Sequence, residues 1–220
     1  DDSAKTIMVY DLGGGTFDVS LVTIEKDVTE VLASHGNNHL GGNDFDEMLL
    51  QRLLDEFKQL HGIDLRDCQP IAYSRLRWAA EKAKQTLSNE PYVHVREEAL
   101  IMDKGTPLHL DLEISRRDYE TMITPKIEET LASVSKVMAD ADKRPDEIDE
   151  ILLVGGSSRT PLVRQMLEES LGLNPRQDIH PDLCVALGAG VMASRLAGCN
   201  IEKLLVDVSP YSYGPSYLGI

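Results

Sequence analysis

The segment Asp11-Leu-Gly-Gly-Gly-Thr-Phe-Asp18 constrains this chain most, because it places three glycines between two carboxylates directly after an apolar run at residues 7–10. A backbone without Cβ atoms turns tightly and lets its N–H groups approach a bound phosphate. Asp11 and Asp18 are suited to hold a divalent cation or to orient a water, and Thr16 adds a hydroxyl between them. The segment therefore predicts either a phosphate-binding loop or a glycine-rich hairpin turn with solvated aspartates.

The residues that follow this loop decide between the known kinds of phosphate loop. Residues 19–24 are rich in β-branched side chains, so the loop is expected to join two strands. A Rossmann fingerprint has a third glycine where Asp18 stands, a P-loop carries Gly-Lys-Ser/Thr, and both open a helix. Neither pattern fits. We predict strands at about 6–10, 17–25 and 28–35 that form a meander.

Charge and composition narrow the class of protein. The chain has 220 residues, enough for one large domain or two small ones, and a net charge of -15 that argues against a nucleic-acid partner. A nucleotide remains possible, because backbone N–H groups and a metal can meet its phosphates. The three cysteines lack the spacing of metal ligands or of a disulfide framework, which indicates a reducing compartment. With no signal peptide and no apolar run of membrane-spanning length, we predict a cytoplasmic protein without a membrane partner.

Two helices are predicted after the meander. Gly41-Gly42-Asn43-Asp44 opens the first, whose apolar residues recur every fourth position until His61-Gly62. The second covers about residues 70–88, and polar side chains form a stripe beside its apolar seam: Glu81, Lys84, Gln85 and Ser88. This stripe is either a solvated helix face or the wall of a binding site.

The middle of the chain is predicted to have a structural role. Short β-like runs at about 91–96, 98–103 and 107–113 predict a small meander. Ser115 and Asp118 form a capping box that opens a long helical region, and Pro125 predicts a kink or a break near its middle.

A second glycine turn follows the predicted strand at 151–154 and reads Gly155-Gly-Ser-Ser-Arg-Thr-Pro161. Thr160 is placed as an N-cap with Pro161 at the first helical position, so free N–H groups would face the turn. Arg159 is able to lie flat on an aromatic base. Alternatively, this is an ordinary β-to-α turn with a surface arginine. A third turn at 180–182 starts a helix rich in alanine and glycine that Gly198 ends.

Together these segments resemble the Hsp70 chaperone family. Five motifs occur in the order and spacing of that family: Asp11-Leu-Gly-Gly-Gly-Thr-Phe-Asp18, His39-Leu-Gly-Gly-Asn-Asp-Phe-Asp46, Glu81-Lys-Ala-Lys-Gln-Thr-Leu-Ser88, Ile151-Leu-Leu-Val-Gly-Gly-Ser-Ser-Arg159 and Leu204-Leu-Val-Asp-Val-Ser-Pro210. The match resembles the second lobe of the family's ATPase domain, followed by the interdomain linker.

The resemblance implies an α/β fold of the actin/hexokinase/Hsp70 type with a ribonuclease H-like core. Residues 1–40 and 125–200 would form the core ATPase subdomain, and 41–124 an inserted α+β subdomain. Residues 201–220 would form the interdomain linker and the start of a peptide-binding domain.

The resemblance also implies roles at the phosphate end of a nucleotide. Asp11 and Asp18 resemble the carboxylates around magnesium, bound through water, and around the attacking water, and Thr16 the hydroxyl near the γ-phosphate. These three are the catalytic candidates. Gly42 and Asn43 would lie at the edge of the nucleotide. Five glycines would line the phosphates: Gly13, Gly14, Gly15, Gly155 and Gly156.

Further resemblances concern the adenosine end. Glu81, Lys84 and Ser88 resemble the residues that hold the ribose and adenine. The opposite side of the base pocket would be closed by a second set: Ser157, Arg159 and Asp182. The resemblance thus implies that the polar stripe of the second predicted helix forms one wall of an adenosine-binding pocket, with Arg159 on the opposite wall.

Four residues depart from the family pattern. Gln85 stands in the base pocket where the family usually has an arginine, Asn43 where it commonly has a glutamate, and Leu183-Cys184 where it commonly has Glu-Ala. Losing one stacked cation costs on the order of 0.5 to 2 kcal/mol. We therefore predict weaker adenine binding than is typical of the family.

The function implied is that of a chaperone part whose parent hydrolyses ATP to ADP with Mg²⁺ and couples this to binding of unfolded peptides. Its partners would be a peptide-binding domain in the same parent chain, a J-domain co-chaperone and a nucleotide-exchange factor. These residues alone are expected to be nearly inactive, because they have no counterpart of the first lobe's catalytic groups. The alternatives are a sugar or acetate kinase of the same fold, an actin-like filament ATPase, and an ATP sensor without turnover.

Overall fold

The computed structural model describes residues 4–66, 69–176, 183–199 and 204–207. Strands occupy seven segments: β1 (Lys5–Leu12), β2 (Phe17–Glu25), β3 (Val28–Asn37), β4 (Tyr92–Asp103), β5 (Thr106–Ser115), β6 (Glu150–Val154) and β7 (Leu204–Val206). Within the same described residues, α-helices occupy five segments: α1 (Gly42–His61), α2 (Pro70–Leu87), α3 (Arg116–Asp140), α4 (Pro161–Leu171) and α5 (Cys184–Leu196).

A five-stranded mixed sheet in the order β6-β1-β2-β3-β7 forms the centre of the molecule. The first three strands are antiparallel, which confirms the predicted meander, while β6 is parallel to β1 and β7 is parallel to β3. One face of β1 and β2 is fully buried, and Tyr10 on it bonds Thr130 of α3 at 2.6 Å. Since strand residues alternate between faces, Asp11 and Asp18 fall on the other face of the sheet.

The hairpin β4–β5 replaces the predicted meander of three short strands, so that prediction is wrong. β4 is one long strand interrupted by a bulge, in which Ala99 has a φ of 45°. The Ala99 N–H donates to His109 Nδ1 (3.0 Å), and the Arg75 guanidinium donates to the carbonyls of Glu98 (2.9 Å) and Ala99 (3.2 Å). The bulge shifts the alternation of apolar residues, so the two halves of one strand look like two strands in the sequence.

Helix α3 links the hairpin to the central sheet. The Ser115 hydroxyl accepts a hydrogen bond from the Asp118 N–H at 3.1 Å, which confirms Ser115 as the N-cap. In place of the reciprocal backbone bond of the predicted capping box, the Ser115 hydroxyl donates to Asp118 Oδ2 at 2.6 Å. The predicted break at Pro125 does not occur, because α3 continues through it with Ile123 and Ile127 fully buried on either side. Packing of these residues offsets the lost backbone hydrogen bond. The subdomain boundary predicted at residues 124–125 lies inside α3 and stays a prediction.

Helix α5 and strand β7, near the C-terminus, are more exposed to solvent than the other elements. The residues of α5 are all exposed or half-buried. Gly198, with a φ of 85°, follows the helix as predicted. β7 lies at the edge of the sheet beside the start of β3. The predicted turn at 180–182 and the end of the predicted linker after residue 207 lie outside the described residues.

Candidate functional site

Asp11 and Asp18, the two candidate metal carboxylates, lie side by side on β1 and β2, close to the loop that joins these strands. Asp11 and Asp18 are direct cross-strand partners, an arrangement that brings Cβ atoms to about 5 Å. Partial burial raises the pKa of Asp11, and the negative charge of Asp18 raises it further, while burial raises the pKa of Asp18. Among the described residues no group of three or more His, Cys, Asp or Glu side chains is placed to hold a metal. Two carboxylates fit Mg²⁺, which takes its other ligands from water and phosphate.

The first glycine loop takes its shape from helix α1. The Gly13 N–H closes the loop by donating to the Thr16 carbonyl at 2.9 Å. The N–H groups of Gly42 and Asn43, the first two of α1, donate to the carbonyls of Gly13 (3.0 Å) and Gly14 (2.7 Å). These N–H groups, which a helix start leaves without intrahelical partners, therefore hold the loop in place.

The second glycine turn packs against the base of the first loop. Gly155 has a φ of 81°, and a Cβ atom there would overlap the Leu12 carbonyl oxygen and lie 2.5 Å from Asp11 Oδ1. A 3-10 turn covers Gly156–Arg159, between the first glycine of the turn and helix α4. Helix α4 begins as predicted, with Thr160 at the N-cap and Pro161 at the first helical position, although the Thr160 side chain makes no capping hydrogen bond. The turn is closed instead by the Ser158 hydroxyl, which donates to the Gly155 carbonyl at 2.6 Å.

A cavity of about 580 Å³ opens where three distant segments of the chain meet. Its lining comes from the first loop, the end of α2 and the second turn: Gly14, Lys84, Gln85, Ser88, Asn89, Gly156, Ser157, Arg159 and Thr160. The volume is in the range of small-molecule and cofactor sites. The structure thus brings most of the polar stripe of α2 together with Arg159.

Gly42 lies where α1, α2 and the second turn converge. The Lys84 ammonium donates to the Gly42 carbonyl at 3.1 Å and to Asp46 Oδ2 at 2.8 Å. A Cβ atom at Gly42 would overlap the Ser157 hydroxyl and lie 3.0 Å from Lys84 Nζ. A side chain at position 42 would therefore displace the Ser157 hydroxyl and crowd the Lys84 ammonium.

The other predicted residues are placed around this cavity. Glu81 and Asn43 line a smaller neighbouring cavity of about 190 Å³ that shares Gly14 and Lys84 with the first. The loop residues Gly15 and Thr16 are exposed, and Asp182 lies outside the described residues.

Sequence reasoning missed two residues of the site. A Cβ atom at Gly36 of β3 would overlap Asp18 Oδ1 and lie 2.6 Å from the Phe17 carbonyl oxygen, so this glycine leaves room for the carboxylate. A glycine within a strand often marks such an approach, and that signal was available. Asp46, the partner of Lys84, lies 38 positions before it in the sequence, and no local pattern connects the two.

Comparison with known proteins identifies the family. The family model described as "Hsp70 protein" matches residues 1–219. The proteins named "Chaperone protein DnaK" from Thermotoga petrophila and from Thermotoga sp. strain RQ2 are each 44% identical to this chain over 215 residues. The match covers 96% of this chain and 36% of each relative. The chain belongs to the Hsp70 family, and it spans about a third of the length of these relatives.

These findings confirm the resemblance and the fold class of the actin/hexokinase/Hsp70 type. They support a nucleotide-binding part of a chaperone and do not favour the sugar kinase or the actin-like filament protein. Of the helices among the described residues, none combines the length and the apolar character needed to cross a membrane.

Proposed function

We propose that this chain is the second lobe of the nucleotide-binding domain of an Hsp70 chaperone, and that it binds ATP or ADP with Mg²⁺. The observation that carries the proposal is the cavity of about 580 Å³, because the first glycine loop, the end of α2 and the second glycine turn all line it. Backbone loops suited to phosphates thereby lie next to polar side chains suited to a nucleoside.

The adenosine would lie between α2 and the second turn. The Arg159 guanidinium offers a flat cationic surface for the base, and Lys84 offers one N–H donor to the ribose. The Ser88 hydroxyl donates to the Lys84 carbonyl at 3.1 Å, so its oxygen still accepts a bond from a ribose hydroxyl. We place Ser157 at the far side of the base pocket and Glu81 at the entrance, and a role for Asp182 in this pocket rests on the family resemblance alone.

The phosphates would be held by the two glycine turns. Backbone N–H groups of residues 14–15 and 155–156 are the proposed donors, since Gly14 and Gly15 are exposed, whereas the Gly13 N–H already donates to the Thr16 carbonyl. When bound, Mg²⁺ supplies positive charge that neutralises the phosphate oxygens. Asp11 and Asp18 would hold its waters, and a cation beside them lowers the pKa values that burial and mutual repulsion raise. The Thr16 hydroxyl would lie near the γ-phosphate.

In the parent protein we propose that ATP hydrolysis is coupled to peptide binding through the segment that contains β7. Leu204–Val206 pairs with Val28–Glu30 of β3, the same strand that carries Gly36 and leads into α1. A strand docked at this edge is therefore connected to the nucleotide site through one continuous element. A peptide-binding domain, a J-domain co-chaperone and a nucleotide-exchange factor are the proposed partners, and the cytoplasm is the proposed compartment. The net charge of -15 does not favour a nucleic acid as a partner.

Calorimetric titration of the 220-residue chain with ADP, with and without Mg²⁺, tests this function. We expect binding that Mg²⁺ strengthens, and a roughly tenfold or greater loss of affinity in Arg159→Ala, because the base loses its stacking surface. Arg164→Ala, on the exposed side of α4, is the matched control and should bind ADP normally. Equal affinity of both variants would place the base elsewhere, and no binding by the unmodified chain would contradict the proposal.

A further inference from the structure

We propose that Asp46 is a positioning residue that holds the Lys84 ammonium at the wall of the nucleotide cavity. This inference rests on the proposed function, because it concerns how one side chain of that cavity is fixed. It assigns a role in ligand binding to a carboxylate that does not line the cavity of about 580 Å³.

The geometry starts at the first turn of α1. Gly42 and Asp46 are four residues apart, so both lie on the same side of the helix. The Gly42 carbonyl and Asp46 Oδ2 accept hydrogen bonds from Lys84 Nζ at 3.1 and 2.8 Å. An ammonium has three N–H donors, and these two acceptors fix the orientation of the third. The third donor is thereby available to a ligand, since Lys84 lines both cavities.

The ion pair between Asp46 and Lys84 is largely buried, which strengthens it. The side chains of Asp46 and Lys84 are each only 15% exposed, so water screens their attraction weakly. Removing one partner of a buried pair leaves the other charge uncompensated. A lysine side chain, with its flexible stem, would then be free to turn towards solvent. The position of the ammonium therefore depends on the carboxylate.

A second observation supports a role for Asp46 beyond stability. Its other oxygen, Oδ1, is buried without a hydrogen-bond partner among the described residues. Burial raises the pKa of Asp46, although the hydrogen bond and charge of Lys84 oppose this; Glu81 raises it further and Arg77 lowers it. A half-satisfied buried carboxylate is costly for a fold, and such residues are typical of functional sites.

NMR titration of the 220-residue chain with adenosine tests the inference, because adenosine reports on the ribose and base contacts without the phosphates. We expect Asp46→Asn to weaken adenosine binding about tenfold, as the amide keeps the shape but not the charge. Asp55→Asn is the matched control: it lies on the same helix and loses an ion pair with Arg66 (2.6 Å), but Asp55 is 64% exposed. This control should bind adenosine as the unmodified chain does.

Two further measurements separate positioning from a structural role. The ¹⁵N-detected ammonium signal of Lys84 should be observable in the unmodified chain and should broaden through faster proton exchange in Asp46→Asn. Asp46→Glu should recover part of the affinity. In the double variant with Lys84→Met, loss of Asp46 should cause no further decrease beyond that of Lys84→Met alone.

The outcomes distinguish this inference from the proposed function. If the unmodified chain binds adenosine and Asp46→Asn binds it equally well, the positioning role is wrong while the function stands. If Asp46→Asn loses thermal stability and affinity but the Lys84 ammonium signal is unchanged, the role is structural. If the unmodified chain binds ADP with Mg²⁺ but not adenosine, the positioning role is wrong while the function stands, and if it binds neither, both fail.

Discussion

The two glycine turns of the site are held in place by different interactions. The first, at residues 13–15, takes its shape from hydrogen bonds donated by the start of α1, and none of its glycines has a positive φ. The second depends on Gly155, which combines a φ of 81° with close contact to the backbone of Leu12.

This difference shows that glycine has a separate purpose in each turn. Gly14 has open space around it, with the nearest contact of an added Cβ at 3.9 Å, so its lack of a side chain serves access by a ligand. Gly155 has no such space, so its lack of a side chain serves the fold. Substitutions in the two turns should therefore separate ligand binding from stability.

The largest effect is expected for Gly155→Ala. Its new methyl group would overlap the Leu12 carbonyl oxygen in a backbone conformation that alanine disfavours, and we expect a loss of about 2–4 kcal/mol in the free energy of unfolding. Gly172→Ala is the control, because Gly172 has a φ of 70° but open space, and should cost only about 1 kcal/mol. Urea denaturation measures both. Equal losses would show that the contact with the first loop is unimportant.

Gly14→Ala should affect ligand binding but not stability, in contrast to Gly155→Ala. We expect the free energy of unfolding to change by less than about 0.5 kcal/mol, because the site is roomy. Affinity for ADP should fall about tenfold, since the methyl group enters the cavity that the phosphates are proposed to reach. Calorimetry and urea denaturation on the same sample check the two expectations. Unchanged affinity would remove the first turn from the site.

Gln85→Arg tests whether Arg159 of the second turn supplies the only stacked cation. The Gln85 amide lines the cavity and donates to Glu81 Oε1 at 3.4 Å, so an arginine there would have a carboxylate partner. We expect nucleotide affinity to rise by about 0.5 to 2 kcal/mol. Calorimetric titration with ATP of the two-lobed protein, before and after the substitution, measures this. An unchanged affinity would contradict the predicted weakness of the base pocket.

A smaller effect is expected for Asp18→Asn at the first turn. The pKa of Asp18 is higher in the folded than in the unfolded chain, so its ionised form opposes folding at neutral pH, and this cost disappears as the pH falls. Removing one of two like charges across a strand pair should raise the free energy of unfolding by roughly 0.5 kcal/mol near neutral pH. The gain should shrink as the pH is lowered towards about 4. Asp27→Asn, in the exposed β2–β3 turn, should show no comparable gain in urea denaturation at the same pH values. A gain for Asp18→Asn that persists at low pH would contradict the explanation.

Local sequence patterns predicted most of the elements but few of the contacts between them. Strands β1 to β3, helices α1 and α2 and the cap at Ser115 follow from alternation, periodicity and hydrogen-bonding side chains. The unbroken helix at Pro125 and the bulge at Ala99 do not, because burial in one case and the bonds of Arg75 and His109 in the other override local preference. Long-range packing decided these segments.

The same distinction applies to the site. Both glycine turns and the polar stripe could be recognised from residue type and spacing, and the family resemblance connected them. The support of the first loop by α1 could not, because it depends on backbone groups that every residue possesses. The contact between Asp46 and Lys84 was also hidden, since it joins two helices whose relative placement no local pattern specifies.

The central claim is that three segments form one nucleotide site, and an NMR titration of the ¹⁵N-labelled chain with Mg²⁺ and ADP tests it most directly. We expect amide shifts at residues 13–15, 84–89 and 156–159 to follow a single binding curve with one dissociation constant. Shifts that follow separate curves in the three segments, or that are confined to residues outside them, would contradict the claim.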